Sequence, residues 1–200
     1  MREKVIEKYV SFLLKYHTYS RKEILTIRYG VENTLLFLEK IIIILVIGYL
    51  LGILKIMCIF MLFYMGIKTF SGGMHASSSF SCLLISLVIF IASPIIGVHV
   101  YFTLLEKFLI SLFVFAIFLI YSPADTHKKP IRGPKIKMLK IKSLIIIDLY
   151  CISSFFVTNY IGNLLIISLL VQACMISPIP YKLFGLPYNN GRREKDENFS

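Results

Sequence analysis

The chain is short of charge, of acid above all, and of paired cysteine. Charged residues make up 16% of its 200 positions, with 11 acids against 22 Lys and Arg, while 57% of the chain is hydrophobic. That balance excludes an ordinary soluble domain and leaves an integral membrane protein. The four cysteines, Cys58, Cys82, Cys151 and Cys174, include no Cys-x-x-Cys pair and no Cys/His group at zinc spacing. Neither a disulfide framework nor a metal site is indicated, and no cofactor is expected. Residues 1–20 lack the short apolar core and small-residue cleavage site of a secretory signal, so the N-terminal arm is expected to be retained.

The basic residues that give the formal charge of +11 gather in the N-terminal arm, in the segment 128–142 and in the tail. Loops flanking membrane spans collect Lys and Arg on the cytoplasmic side whatever the protein does. The charge therefore implies a lipid bilayer as partner and no nucleic acid.

What is abundant is apolar sequence, in three blocks at 34–70, 81–121 and 143–180. Each is about forty residues, and one helix needs only about 20 to cross the hydrocarbon, so each block predicts a helical hairpin. Polar or helix-unfriendly residues place the breaks at Gly52 and Lys55, between Pro94 and Glu106, and between Asn159 and Asn163. The expected fold is an all-α polytopic membrane protein, a single domain over 1–200 with about six transmembrane helices as three hairpins. A cytoplasmic or interfacial arm (1–33), a basic cytoplasmic loop (122–142) and a cytoplasmic tail (181–200) complete it. In the arm, Val5, Ile6, Tyr9, Val10, Phe12, Leu13 and Tyr16 recur near helical spacing, as an N-terminal amphipathic helix lying on lipid requires. A single span over 41–67 would put the arm and the basic loop on opposite sides; two spans put both, the tail and the segment 71–82 in the cytoplasm.

That segment, Ser71-Gly72-Gly73-Met74-His75-Ala76-Ser77-Ser78-Ser79-Phe80-Ser81-Cys82, sets one imidazole and one thiol between two apolar blocks. Gly72 and Gly73 supply backbone freedom at a helix end, including φ > 0. Ser77, Ser78 and Ser79 are each able to cap the helix that follows, which would put Cys82 near its N-terminus. A helix N-terminus or a neighbouring imidazolium favours the thiolate, the form that attacks a carbonyl, and a histidine completes the activation. Seven residues along a straight helix separate Cα atoms by about 10.5 Å, too far for a direct His–Cys hydrogen bond. His75 and Cys82 therefore act together only if 73–77 turns back over the next helix. The bland alternative is an interfacial polar histidine and an ordinary small cysteine, as Cys58, Cys151 and Cys174 are taken to be.

The stretch Lys68-Thr69-Phe70-Ser71-Gly72-Gly73-Met74-His75-Ala76-Ser77 with Cys82 beyond it, together with Tyr121-Ser122-Pro123-Ala124-Asp125-Thr126 and Lys128-Lys129-Pro130-Ile131, resembles the accessory gene regulator B family. These are membrane cysteine endopeptidases that mature quorum-sensing peptides of Gram-positive bacteria. Tyr29-Gly30-Val31-Glu32 is similar as well, and Lys68 departs from the arginine more usual there, losing bidentate capture of a carboxylate. The resemblance implies a plasma-membrane enzyme with both termini and the active site cytoplasmic, and a homodimer. It implies a precursor signal peptide with an amphipathic leader and an acidic tail as substrate. Cys82, deprotonated by His75, would cut off the tail through an acyl-enzyme thioester and pass the acyl group to the peptide's own nucleophile, closing a thiolactone or lactone.

Three further residues are candidates to orient the site or touch the substrate. Asp125 opens the basic loop and would orient His75 or fix the loop over the peptide, although an Asp two after Pro also serves turns. Asp148 is an acid inside an apolar block that would pair with Lys142 or Lys68, line the peptide cavity, or make a short-range interfacial ion pair. Lys68 is the third. The rival classes are a small peptide transporter or exporter, whose polar residues would lie near the midplane of broken helices, and a non-catalytic scaffold.

Overall fold

The structure is a computed structural model that describes residues 2–17, 19–74, 78–125, 131, 133–157 and 160–188. It is all-helical: α1 (Arg2–Leu14), α2 (Arg21–Leu50), α3 (Leu54–Ser71), α4 (Ser79–His99), α5 (Leu104–Tyr121), α6 (Lys135–Phe156), α7 (Tyr160–Ile176) and α8 (Pro178–Leu183). Four of these, α2 to α5, are long and apolar enough to cross a membrane, and α7 is a shorter apolar helix. Large apolar side chains such as Leu62, Val88, Leu105, Phe108 and Phe113 stand exposed on them, as lipid-facing surface does and water-facing surface rarely does. This is a membrane protein.

Each break has a local cause. Helix α2 stops at Leu50 and α3 starts at Leu54, with Gly52 between them at φ 70°. Helix α4 runs through Pro94 and stops only at His99, where Val100 turns extended. The interruption that the sequence placed from Pro94 onward is thus confined to 100–103, because a proline inside an apolar, packed helix is tolerated when its neighbours support it. A capping box then starts α5, the Thr103 hydroxyl accepting from the Glu106 amide while the Glu106 carboxylate accepts from the Thr103 amide at 2.7 Å.

Residues 1–50 form one compact unit, in which α1 packs on α2. The Ser20 amide donates to the Glu23 carboxylate at 2.8 Å at the start of α2.

Residues 51–200 form the other unit, organised around α7. This helix is apolar nearly all round, which makes it a buried element rather than a surface one, and α3, α4, α5 and α6 all pack on it. Helices α3 and α4 also pack together, as do α5 and α6, whereas α4 and α5, although consecutive, meet through α7. Close approach depends on missing side chains: a Cβ on Gly97 of α4 would stand 2.6 Å from Leu164 Cδ2 of α7. The core between α3, α5, α6 and α7 is built from Ile67, Val114, Phe118, Ile147, Leu169 and Ile176.

Candidate functional site

At one end of this bundle the chain leaves α3 in an unusual conformation. The Gly72 amide closes the helix on the Lys68 carbonyl at 3.0 Å, and Gly72 and Gly73 follow at φ 72° and 119°, values that side chains rarely permit. Space forbids them too, since a Cβ on Gly72 would collide with the Ala124 carbonyl. That contact is part of a short parallel bridge between Gly72 and Ala124. The Ala124 amide donates to the Ser71 carbonyl at 2.8 Å and the Gly73 amide to the Ala124 carbonyl at 3.0 Å. The glycine segment and the Tyr121–Asp125 stretch, read separately in the sequence, are one backbone assembly.

Helix α7 supplies the other wall. The Met74 amide donates to the Met175 carbonyl at 3.1 Å, and the Met74 side chain is buried with Met175 and Tyr181. Gln172, fully buried, donates from Nε2 to Ser71 Oγ at 2.7 Å and to the Gly72 carbonyl at 2.8 Å. On the α5–α6 side, the Ser122 and Ser143 hydroxyls share a buried hydrogen bond of 2.7 Å. The backbone is thus fixed on both sides as far as Met74, the residue before His75. His75 itself lies outside the described residues, as do Ala76 and Ser77.

The chain re-enters at Ser78, which is extended and caps α4 by accepting from the Ser81 amide at 3.0 Å. Of the three serines able to cap, Ser78 does so. No single helix therefore runs from 75 to 82. Cys82 occupies the first turn of α4, its amide bonded to the Ser78 carbonyl at 3.1 Å. It is half-buried and carries a free thiol. Lys68, on the last turn of α3, lies within Coulombic reach of the Cys82 sulfur. Lys68 Nζ also sits 5.4 Å from the centroid of the Tyr64 ring, one turn back on α3. Tyr64 is 2% exposed, and its hydroxyl has no hydrogen-bond partner among the described residues.

Asp125 follows Ala124 directly, so it enters the same assembly. It is half-buried, and its carbonyl accepts from the Tyr181 hydroxyl of α8 at 3.1 Å. Burial, then the charges of Tyr188 and Asp125, push the Tyr181 phenol above its ordinary range, so it remains a donor. Asp148 is exposed on α6 and makes no ion pair with Lys68 or Lys142 among the described residues; the Lys142 ammonium instead lies 5.9 Å from the Phe70 ring centroid. The structure therefore gathers Lys68, Gly72, Gly73, Cys82 and Asp125 at one end of the bundle and leaves Asp148 on the outer surface of α6. Among the described residues no group of three His, Cys, Asp or Glu side chains is placed to hold a metal ion.

Two members were not singled out in the sequence. Tyr64 reads there as one more aromatic in an apolar helix. Gln172 carried a usable signal, because it is a lone amide in the apolar stretch Leu164 to Ile176 and an intramembrane polar residue asks for a partner.

Comparison with known proteins covers most of the chain. The sequence profile described as accessory gene regulator B matches residues 6–176. Accessory gene regulator protein B of Staphylococcus aureus strain MW2 is 27% identical over 176 residues, which is 88% of this chain and 94% of that one. The protein of that name from strain MRSA252 is 26% identical over the same lengths. An AgrB-like protein of Lactiplantibacillus plantarum is 28% identical over 164 residues, 80% of either chain. No solved structure matches.

Proposed function

Because the chain belongs to the accessory gene regulator B family, we propose that it is a multi-pass membrane cysteine endopeptidase that matures a quorum-sensing precursor peptide. The observation that carries the reading is the placement of Cys82 in the first turn of α4, at the end of the bundle where the glycine segment is pinned to Ala124. His75, the residue after Met74, takes the thiol proton. The thiolate attacks the carbonyl that ends the signal segment, and the C–N bond breaks as the tail amine leaves with a proton. The acyl group remains on Cys82 as a thioester. The peptide's own thiol or hydroxyl then attacks that thioester, releasing Cys82 and closing a thiolactone or lactone. Holding the two reacting ends together supplies the entropic part of the acceleration, and water must be kept from the thioester while they meet.

Six spans, α2 to α7, with α1 on the membrane surface, put this site at the cytoplasmic face together with both termini, in line with the basic residues of 128–142. Lys68 and the loop would attract the acidic tail of the substrate, Asp125 would orient the imidazole or the loop, and the enzyme works as a homodimer. No cofactor takes part in this scheme.

Coexpression of the precursor peptide with the wild type, Cys82→Ala and His75→Ala tests the reading. Shortened peptide is expected from the wild type alone. Processing that survives Cys82→Ala rejects the endopeptidase and leaves the transporter or scaffold. Labelling of single cysteines from each side of the membrane checks the orientation, with position 82 expected to react from the cytoplasm.

A further inference from the structure

An amide side chain buried in an apolar helix is costly unless every polar atom finds a partner. In α7, Gln172 is fully buried, both of its Nε2 protons are directed at the glycine segment, and its Oε1 has no hydrogen-bond partner among the described residues. What Gln172 does for the fold is read from what its Nε2 holds. One bond goes to Ser71 Oγ, the hydroxyl that itself donates to the Ile67 carbonyl at 2.9 Å. The other goes to the Gly72 carbonyl, between the two residues of positive φ. A Cβ on Gly73 would stand 3.3 Å from Gln172 Nε2 and 3.4 Å from the Met175 carbonyl, so the glycine segment lies directly against α7 at this point.

We infer that Gln172 is a positioning residue for the Cys82 site: its amide clamps Ser71 and Gly72 onto α7 and so fixes the backbone that leads to His75. The inference rests on the proposed Cys–His chemistry. Gln172 touches neither substrate nor sulfur in this scheme. Without the clamp the Gly72 carbonyl loses its side-chain donor, and two glycines in series have the freedom to let the segment drift.

The test uses the full chain in lipid nanodiscs with Cys58, Cys151 and Cys174 replaced by alanine, and iodoacetamide as the probe. The alkylation rate of Cys82 is measured at pH 7 and pH 9, with thermal unfolding followed in parallel. For Gln172→Met the pH 7 rate is expected to fall about tenfold, as it would for a thiol no longer assisted by an imidazole, and to recover at pH 9, where a thiol of ordinary pKa, about 8.5, is largely ionised without help. His75→Ala is expected to give the same pattern. A merely structural role would lower the unfolding temperature without that pH-selective loss. Gln172→Asn, one methylene too short to span Ser71 and Gly72, is expected to behave as Gln172→Met does and stands in for it if the methionine variant does not fold. Wild-type rates at both pH values in either folded variant overturn the inference, as does failure of both variants to fold. If His75→Ala alkylates like the wild type, the parent Cys–His reading falls instead, so the two failures are distinguishable.

Discussion

Gly73 and Ala124 are joined backbone to backbone, the Gly73 amide donating to the Ala124 carbonyl at 3.0 Å. The bond matters because it ties the exit of α3 to the exit of α5, so the segment leading to His75 is held by two helices that do not adjoin in sequence. A change on either side of this bridge should be felt at Cys82.

Gly72→Ala is the most direct probe. The new methyl meets the Ala124 carbonyl and must also sit at φ 72°, which alone costs about 1–3 kcal/mol for a residue with a side chain. Thermal unfolding should move down by that order, and peptide processing should be lost with it. Gly30→Ala, with nothing within 4 Å of the added atom, is the matched control and should leave both readouts near wild type.

The local features of this site were legible in the sequence, whereas its long-range partners were not. Diglycine after an apolar run announces a left-handed exit, and a serine run before another apolar stretch announces a cap. Both follow from short-range sterics and orphan amides, so the turn at Gly72 and the capped first turn holding Cys82 could be anticipated. Which serine caps is decided by where the extended segment ends, and sequence left that open among three. The amides of Gln172 and Gly73 find partners that lie 100 and 51 residues away, and periodicity carries no information about such pairings. The same limit explains Pro94, which reads as a break until the packing of α4 on α7 is known.

Ser78→Ala removes the side chain that accepts the Ser81 amide. Loss of an N-cap costs about 1 kcal/mol, and here it frays the turn that carries Cys82. The expected result is a modest fall in unfolding temperature and slower alkylation of Cys82 at pH 7, both restored by Ser78→Asn, a strong cap without charge. Restoration of stability without restoration of the alkylation rate would show that the serine acts otherwise than as a cap.

Tyr181 links α8 to Asp125 through its hydroxyl. Because burial pushes its phenol up, the folded chain holds the proton beyond pH 10, where an unfolded tyrosine begins to lose it. The folded state then binds more protons than the unfolded state, so this contribution is complete below about pH 10 and is lost as pH rises further. Tyr181→Phe should lower stability by about 1 kcal/mol at pH 8 and show a shallower fall between pH 10 and 11 than the wild type. Parallel pH profiles for the two chains would refute the linkage.

Lys107 separates stability from the site. It lies in the first turn of α5, buried, and its ammonium donates to the Ser154 carbonyl at 2.9 Å, in the last turn of α6. A cation there compensates carbonyls that the helix end leaves unpaired, and Gly162 keeps the room for it, since a Cβ at that position would stand 3.1 Å from Lys107 Nζ. From Lys107 to Tyr121 the helix advances about 21 Å at the usual rise, so the contact is at the far end of the bundle from Cys82. Lys107→Met keeps the apolar stem and deletes the donor, and should cost about 1–3 kcal/mol in unfolding measurements. Below the unfolding temperature, Cys82 alkylation at pH 7 should stay within about twofold of wild type, as expected for distant sites without shared partners. A large loss of alkylation at unchanged stability would mean that the two ends of α5 are coupled, and the site could then no longer be treated as fixed by the residues around Gly72 alone.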